Sequence, residues 1–155
     1  MVETALIKRQ QGFTLIELMI VVVVMSIILG IAVPSYRSYT LRAGRIDAVG
    51  ALLRIAAAQE RFYLQNGVYA SNAQLKLAPP DGLGFTAGKS ARSYYDLAIV
   101  ADGGGLTIGF SATATVDSDE KQGSDSDCTA FSLDQNGRRG ANAGHVAAVV
   151  EKCWR

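Results

Sequence analysis

The sequence predicts an α+β fold in which one long N-terminal α-helix packs on an antiparallel sheet of about four strands. Three observations carry this. Residues 18–34 hold no charge. From there to Asn66-Gly67, apolar positions recur every three to four residues. Beyond residue 93, three segments alternate apolar and polar side chains, with turn signals between them.

The helix comes first. Residues 13–33 form a run of 21 with one charge, Glu17, and two other polar side chains, Thr14 and Ser26. As a helix this run is about 31 Å long, the thickness of a bilayer's hydrocarbon core. Lys8 and Arg9 precede it and no basic residue follows until Arg37, which orients the N-terminus toward the cytoplasm. Pro34 removes a backbone donor and crowds the preceding turn, so a kink or a local melt is expected there. Past it the pattern is amphipathic. Ile46, Val49, Leu53, Ala56 and Tyr63 form the expected apolar stripe, with Arg42, Arg45, Arg54 and Arg61 on other faces. Asn66-Gly67 is the stop signal. The expected helix spans 13–66, about 80 Å if continuous.

The rest reads as the sheet-bearing head. Residues 68–93 are a loop-rich connection containing Pro79-Pro80-Asp81-Gly82. Residues 94–101 alternate, with Tyr95, Leu97 and Ile99 on one face. After a turn at 102–105, residues 106–115 alternate, with Leu106, Ile108, Phe110 and Ala112 inward. A third strand covers 128–133, with Phe131 and Leu133 inward. Asn136-Gly137 marks a hairpin, and a short strand follows near 138–141.

The formal net charge is +1, which gives no general attraction to nucleic acid or other polyanions. Catalysis finds no constellation to rest on. The one histidine, His145, lies in a glycine-flanked tail without an acid and a nucleophile beside it. Gly103-Gly104-Gly105 lacks the ending of a phosphate-binding loop. No cysteine–histidine cluster has zinc spacing. No enzyme activity, metal or cofactor is expected. Residues 117–127 are acidic, but Lys121 falls where a calcium ligand is wanted, and a solvated loop is the reading.

Cys128 and Cys153 are the two cysteines. Behind an export signal they suggest one disulfide in an oxidising compartment rather than two free thiols. Closing a loop of about 25 residues contributes about 3 kcal/mol in the chain-entropy account. An ordinary secretory signal peptide, releasing a soluble domain or enzyme near residue 33, leaves Glu17 unexplained. A carboxylate within such a run costs about 2.5–3.5 kcal/mol on insertion scales and is functional by default.

Gly12-Phe13-Thr14-Leu15-Ile16-Glu17, after a short basic leader and before a long apolar run, resembles the type IV prepilin signature. Pro34 stands where pilins resemble one another in having a helix-bending proline. The likeness is strongest over residues 8–67. It implies a leader at 1–12, a membrane and fibre-core helix at 13–33, an amphipathic helix at 34–67 and a pilin head at 68–155. A prepilin peptidase is expected to cut between Gly12 and Phe13, and the same enzyme class to methylate the new amine of Phe13. The subunit is expected in the inner membrane, in contact with lipid, until the assembly machinery extracts it into an extracellular fibre of pilin subunits.

The resemblance also gives Glu17 a partner. It favours pairing with the Phe13 amine of a neighbouring subunit, while a pair within one chain, four residues apart, stays open. Either charge alone is costly in apolar surroundings; together they largely offset each other. The C-terminal cysteine pair and the Cys153-Trp154 ending look like those of type IVa pilins. The expected function is a structural subunit of a type IV pilus, minor rather than major, whose head sets adhesion and partner choice. A type II secretion pseudopilin would share the N-terminus. A DNA-uptake receptor pilin is a further version, which the hairpin and the Cys-Trp ending resemble. Lys89, Arg92, Arg138 and Arg139 would then form one basic stripe on phosphates. The neighbouring acidic loop and the small net charge stand against it.

Overall fold

A computed structural model describes residues 12–155; Lys8, Arg9 and the other leader positions up to Gln11 lie outside the described residues. The chain divides into two units between Ser38 and Tyr39. One helix, α1 (Leu15–Asn66), runs through both.

In the first unit every residue from Gly12 onward is exposed. Residues 21–24 are four consecutive valines, which are weak helix formers in water. In a bilayer the balance reverses, because each backbone group must be satisfied within its own segment. The helix is unbroken through Pro34, so the local melt expected there does not occur. Among the described residues this is the one helix long and apolar enough to cross a membrane.

In the second unit α1 buries Ala48, Ala51, Leu52, Ile55, Ala58 and Phe62, together with the polar Arg45 and Gln59. This corrects the expected stripe. Ile46 and Leu53 are 67% and 52% exposed, and Val49, Ala56 and Tyr63 are only partly buried. The true stripe lies one position round the helix, and half of its six apolar side chains are alanines, whose short side chains let the sheet approach. Arg45, expected on an outer face, is in the interior.

Strands β1 (Tyr95–Ala101), β2 (Phe110–Val116), β3 (Ala130–Asp134) and β4 (Arg139–Ala141) form an antiparallel sheet in sequence order. Their register aligns Leu97, Ala114, Phe131 and Ala141 in one row. Ile99, Ala112, Leu133 and Arg139 form the next. All of these except Arg139 are buried and pack with the α1 stripe in one core.

The second strand begins at Phe110, not at Leu106 as the alternation suggested. Residues 106–109 instead continue the glycine turn, with the Gly109 N–H donating to the Gly105 carbonyl at 3.1 Å. Ile108 is consequently exposed. Two short helices, α2 (Asn72–Leu75) and α3 (Ala147–Cys153), occupy segments expected to be irregular. The connection after α1 is fastened by Gln59. Its Nε2 donates to the Ala70 carbonyl at 2.9 Å, and its Oε1 accepts from the Ala70 N–H at 2.7 Å.

Candidate functional site

The expected processing site lies just ahead of α1. Gly12, Phe13 and Thr14 are exposed and non-helical. Thr14 Oγ1 accepts from the Glu17 N–H at 3.3 Å, and the Thr14 carbonyl accepts from the Leu18 N–H at 3.2 Å. Thr14 therefore caps the helix, which places Glu17 in the first turn, where a negative charge suits the helix dipole. The spacing Thr14-x-x-Glu17 was open to reading as a capping pair in the sequence.

The acidic loop expected to be solvated is partly interior. Asp125 and Gln122 are buried, and residues 121–124 form a 3-10 turn against α1. Arg45 grips Asp125 with two bonds, Nε to Oδ2 at 2.7 Å and Nη2 to Oδ1 at 2.9 Å. Its Nη1 donates to the Lys152 carbonyl at 3.3 Å. Gln122 Nε2 donates to the Leu41 carbonyl at 2.9 Å and to Asp125 Oδ2 at 3.1 Å. Gly44 makes room for this contact, since a Cβ there would collide with the Gln122 amide.

Burial alone would raise the Asp125 carboxyl. The hydrogen bond and charge of Arg45, with the Cys128 and Asp127 N–H groups, more than offset it and hold the group below the usual carboxylate range. Asp125 in turn holds the Arg45 guanidinium above its ordinary value, against the opposing effect of burial. Tyr95 lies beside this pair. Its phenol is pushed up, chiefly by burial and then by the Asp125 charge. Among the described residues its hydroxyl is the one buried side-chain polar atom without a hydrogen-bond partner. Gln122 comes near it but outside hydrogen-bond geometry.

The four basic candidates do not form one stripe. Lys89 pairs across to Asp96 on β1, while Arg139 opens β4, and these strands are the two outer members of the sheet. Three strand spacings, roughly 14 Å, lie between them. Lys89 is also spoken for, with its Nζ 2.5 Å from Asp117 and 2.9 Å from Asp96. Those two bonds raise its pKa, and Lys89 is the first cause lowering that of Asp117. The Arg92 N–H donates to the Asp47 carboxylate of α1 at 3.2 Å.

Arg138 and Arg139 stand apart from that side and face a cavity of about 470 Å³ shared with His145, Glu151, Trp154 and Arg155. The Arg139 guanidinium lies 5.1 Å over the Trp154 ring. Trp154 Nε1 donates to the Gly140 carbonyl at 2.9 Å, and His145 Nδ1 lies 2.9 Å from the Arg139 carbonyl. Arg155 pairs with Glu151 along α3. Cys128 and Cys153 are bridged and fully buried, which fixes α3 beside β3 and β4. Trp154 and Arg155, which complete the cavity, were not singled out from the sequence as contacts. They meet Arg139 only because the bridge folds the tail back.

A membrane-length exposed helix leading into a four-stranded head with a C-terminal disulfide defines a pilin-type subunit. Residues 7–33 match the prokaryotic N-terminal methylation motif, and residues 34–132 match the family described as type IV minor pilin ComP, DNA uptake sequence receptor. The chain belongs to this type IV minor pilin family. It is 42% identical over 79 residues to a fimbrial protein of Pseudomonas aeruginosa, covering 51% of each chain. It is 38% identical over 71 residues to the type IV major pilin protein PilE1 of Neisseria gonorrhoeae, covering 46% of this chain and 33% of that protein. The chain thus spans about half the length of the first of these relatives and about a third of the second. A solved type IV pilin from Shewanella oneidensis is 26% identical, with a TM-score of 0.45 over 69% of this chain and 98% of that one.

Proposed function

We propose that this chain is a minor subunit of a type IV pilus, cut between Gly12 and Phe13, methylated on Phe13, and assembled through α1. The observation that carries the reading is the single carboxylate, Glu17, in the first turn of an exposed apolar helix and four residues from Phe13. Before assembly the bilayer covers residues 13–33; afterwards the same surface is covered by other pilin helices. Leaving it in water would be strongly unfavourable, so the helix passes from lipid to fibre core without an aqueous stage. Glu17 then meets the Phe13 amine of a neighbouring subunit and sets the axial register. A prepilin peptidase with methyltransferase activity and an inner-membrane assembly apparatus are the partners this scheme requires. The test is the N-terminal residue and intact mass of the protein from native fibres. A chain starting at Phe13 with one added methyl group is expected; a chain starting near Val33 would overturn the scheme.

A second reading adds DNA to the head. The observation favouring it is that Arg138, Arg139 and Arg155 gather at one cavity with Trp154 and His145. Guanidinium forks suit phosphate oxygens, and Arg139 is held in place by the indole beneath it. The family's description, a DNA uptake sequence receptor, agrees with this chemistry. Lys89 and Arg92 have no part in it, since they lie on the far side of the sheet.

A further inference from the structure

The buried Arg45 touches the chain just ahead of both cysteines. Through its bidentate bonds it holds Asp125, and the Asp125 Oδ1 atom accepts the N–H groups of Asp127 and Cys128 at 3.2 and 3.3 Å. Through Nη1 it holds the carbonyl of Lys152, the residue before Cys153. Lys152 Nζ reaches back to Asp127 Oδ1 at 2.9 Å. One side chain on α1 therefore gathers two segments 25 residues apart that carry the two sulfurs. Nothing about fibre assembly or DNA contact needs a guanidinium at this place, and a buried ion pair is weak evidence for added stability.

We propose that Arg45 is a positioning residue for oxidation of the C-terminal cysteines, a template that brings Cys153 onto Cys128 when the bridge is made. Both sulfurs are fully buried in the bridged protein, so the first exchange takes place with α3 undocked. The thiolate of one cysteine attacks a disulfide donor, forming a mixed disulfide and releasing one donor thiol. The second cysteine then attacks the first cysteine's sulfur, closing the bridge and releasing the second donor thiol. The two protein thiols are oxidised, the donor disulfide is reduced, and the two thiol protons finish on the donor thiols. Arg45 acts in the second exchange. Asp125 is already on the guanidinium, and capture of the Lys152 carbonyl brings Cys153 to the mixed disulfide. Trp154, through its bond to the Gly140 carbonyl, completes the docking.

The test uses the full chain in detergent micelles, reduced, freed of reductant, and reoxidised with glutathione disulfide. Bridge closure is followed by quenching with a mass-tagged maleimide. Arg45→Met is expected to close about tenfold or more slowly than wild type, because two thiols on an untethered loop meet only at its ordinary effective concentration. Leu52→Ala, which opens the core away from the clamp, serves as a destabilised control and is expected to close at nearly the wild-type rate. Arg45→Lys should recover part of the rate. Arg45→Gln, which keeps an N–H donor for the Lys152 carbonyl without the charge, should recover part of it even if Arg45→Met fails to fold. Equal slowing in Arg45→Met and Leu52→Ala, or a wild-type rate in Arg45→Met, would overturn the proposal. So would failure of both the lysine and the glutamine variants to recover any rate.

Discussion

The Arg139 guanidinium lies over the Trp154 indole, 5.1 Å from the ring centroid, so the last strand and the residue after α3 meet through one cation–π contact. Arg139 lines the same cavity as Arg138 and Arg155. If DNA binds there, Arg138→Ala or Arg139→Ala should weaken binding. Each should also reduce the slope of log affinity against log salt by about one. Lys89→Ala should leave both unchanged, since its ammonium already serves Asp96 and Asp117. Fluorescence anisotropy with labelled duplex across a salt series reads all three.

Glu17→Ala should leave cleavage after Gly12 largely intact and abolish incorporation into fibres. The Thr14 cap on the helix uses the backbone of residue 17, not its carboxylate. The processed N-terminus in membranes and the amount of subunit in sheared fibres give the two readings. Normal amounts of the variant in fibres would remove the register role.

Acid should loosen the loop that precedes Cys128. Asp125 and Asp117 both have lowered folded pKa values, so each contributes stability that is complete above the ordinary value of 3.8. That contribution is lost as pH falls from there through the folded value. Lys89 has the opposite sign: its raised pKa contributes below 10.5 and is lost only in strong alkali. Urea midpoints should therefore be flat through neutrality and fall below about pH 4. The fall should be smaller in Asp125→Asn, which starts from a lower midpoint.

Adjacent leucines on α1 separate the observed stripe from the expected one. Leu52 is fully buried and Leu53 is half exposed. Leu52→Ala should cost about 2–5 kcal/mol, and Leu53→Ala well under about 1 kcal/mol, in chemical unfolding of the full chain. Equal costs would mean that the helix faces the sheet in the other register.

Tyr95→Phe removes a buried hydroxyl that has no hydrogen-bond partner among the described residues. Deleting such a group spares a desolvation penalty of about 1–3 kcal/mol, so the melting temperature should stay level or rise. A marked fall would show that the hydroxyl is bonded in solution.

What the sequence made legible was what is local. The methylation motif over residues 7–33 was readable because its signal lies in a fixed spacing along one segment. Tyr95, Leu97 and Ile99 were readable because a strand's period is short and unambiguous. The α1 stripe was harder. Ile46 and Leu53 offer a competing apolar line, and the alanines of the true one carry little hydrophobic signal. Arg45 was unreadable because its partner lies 80 residues away. A lone arginine on an amphipathic helix looks like a solvent-facing charge until the loop bearing Asp125 is placed. The same holds for the basic residues. Strand order separates Lys89 from Arg139, and no local pattern carries that order.

Both rims of the sheet are occupied by this chain's own segments. On the β1 side, Gly88 and Ser90 bond to Leu97 and Tyr95, and the Asn72 side chain accepts the Ile99 N–H. On the β4 side, the strand is three residues long, and Ala141 bonds to Gly144 in the turn that follows it. Neither rim presents a long bare ladder of donors and acceptors to a neighbour. With both rims occupied, the head offers no ready edge for strand addition, which guards it against edge-to-edge aggregation.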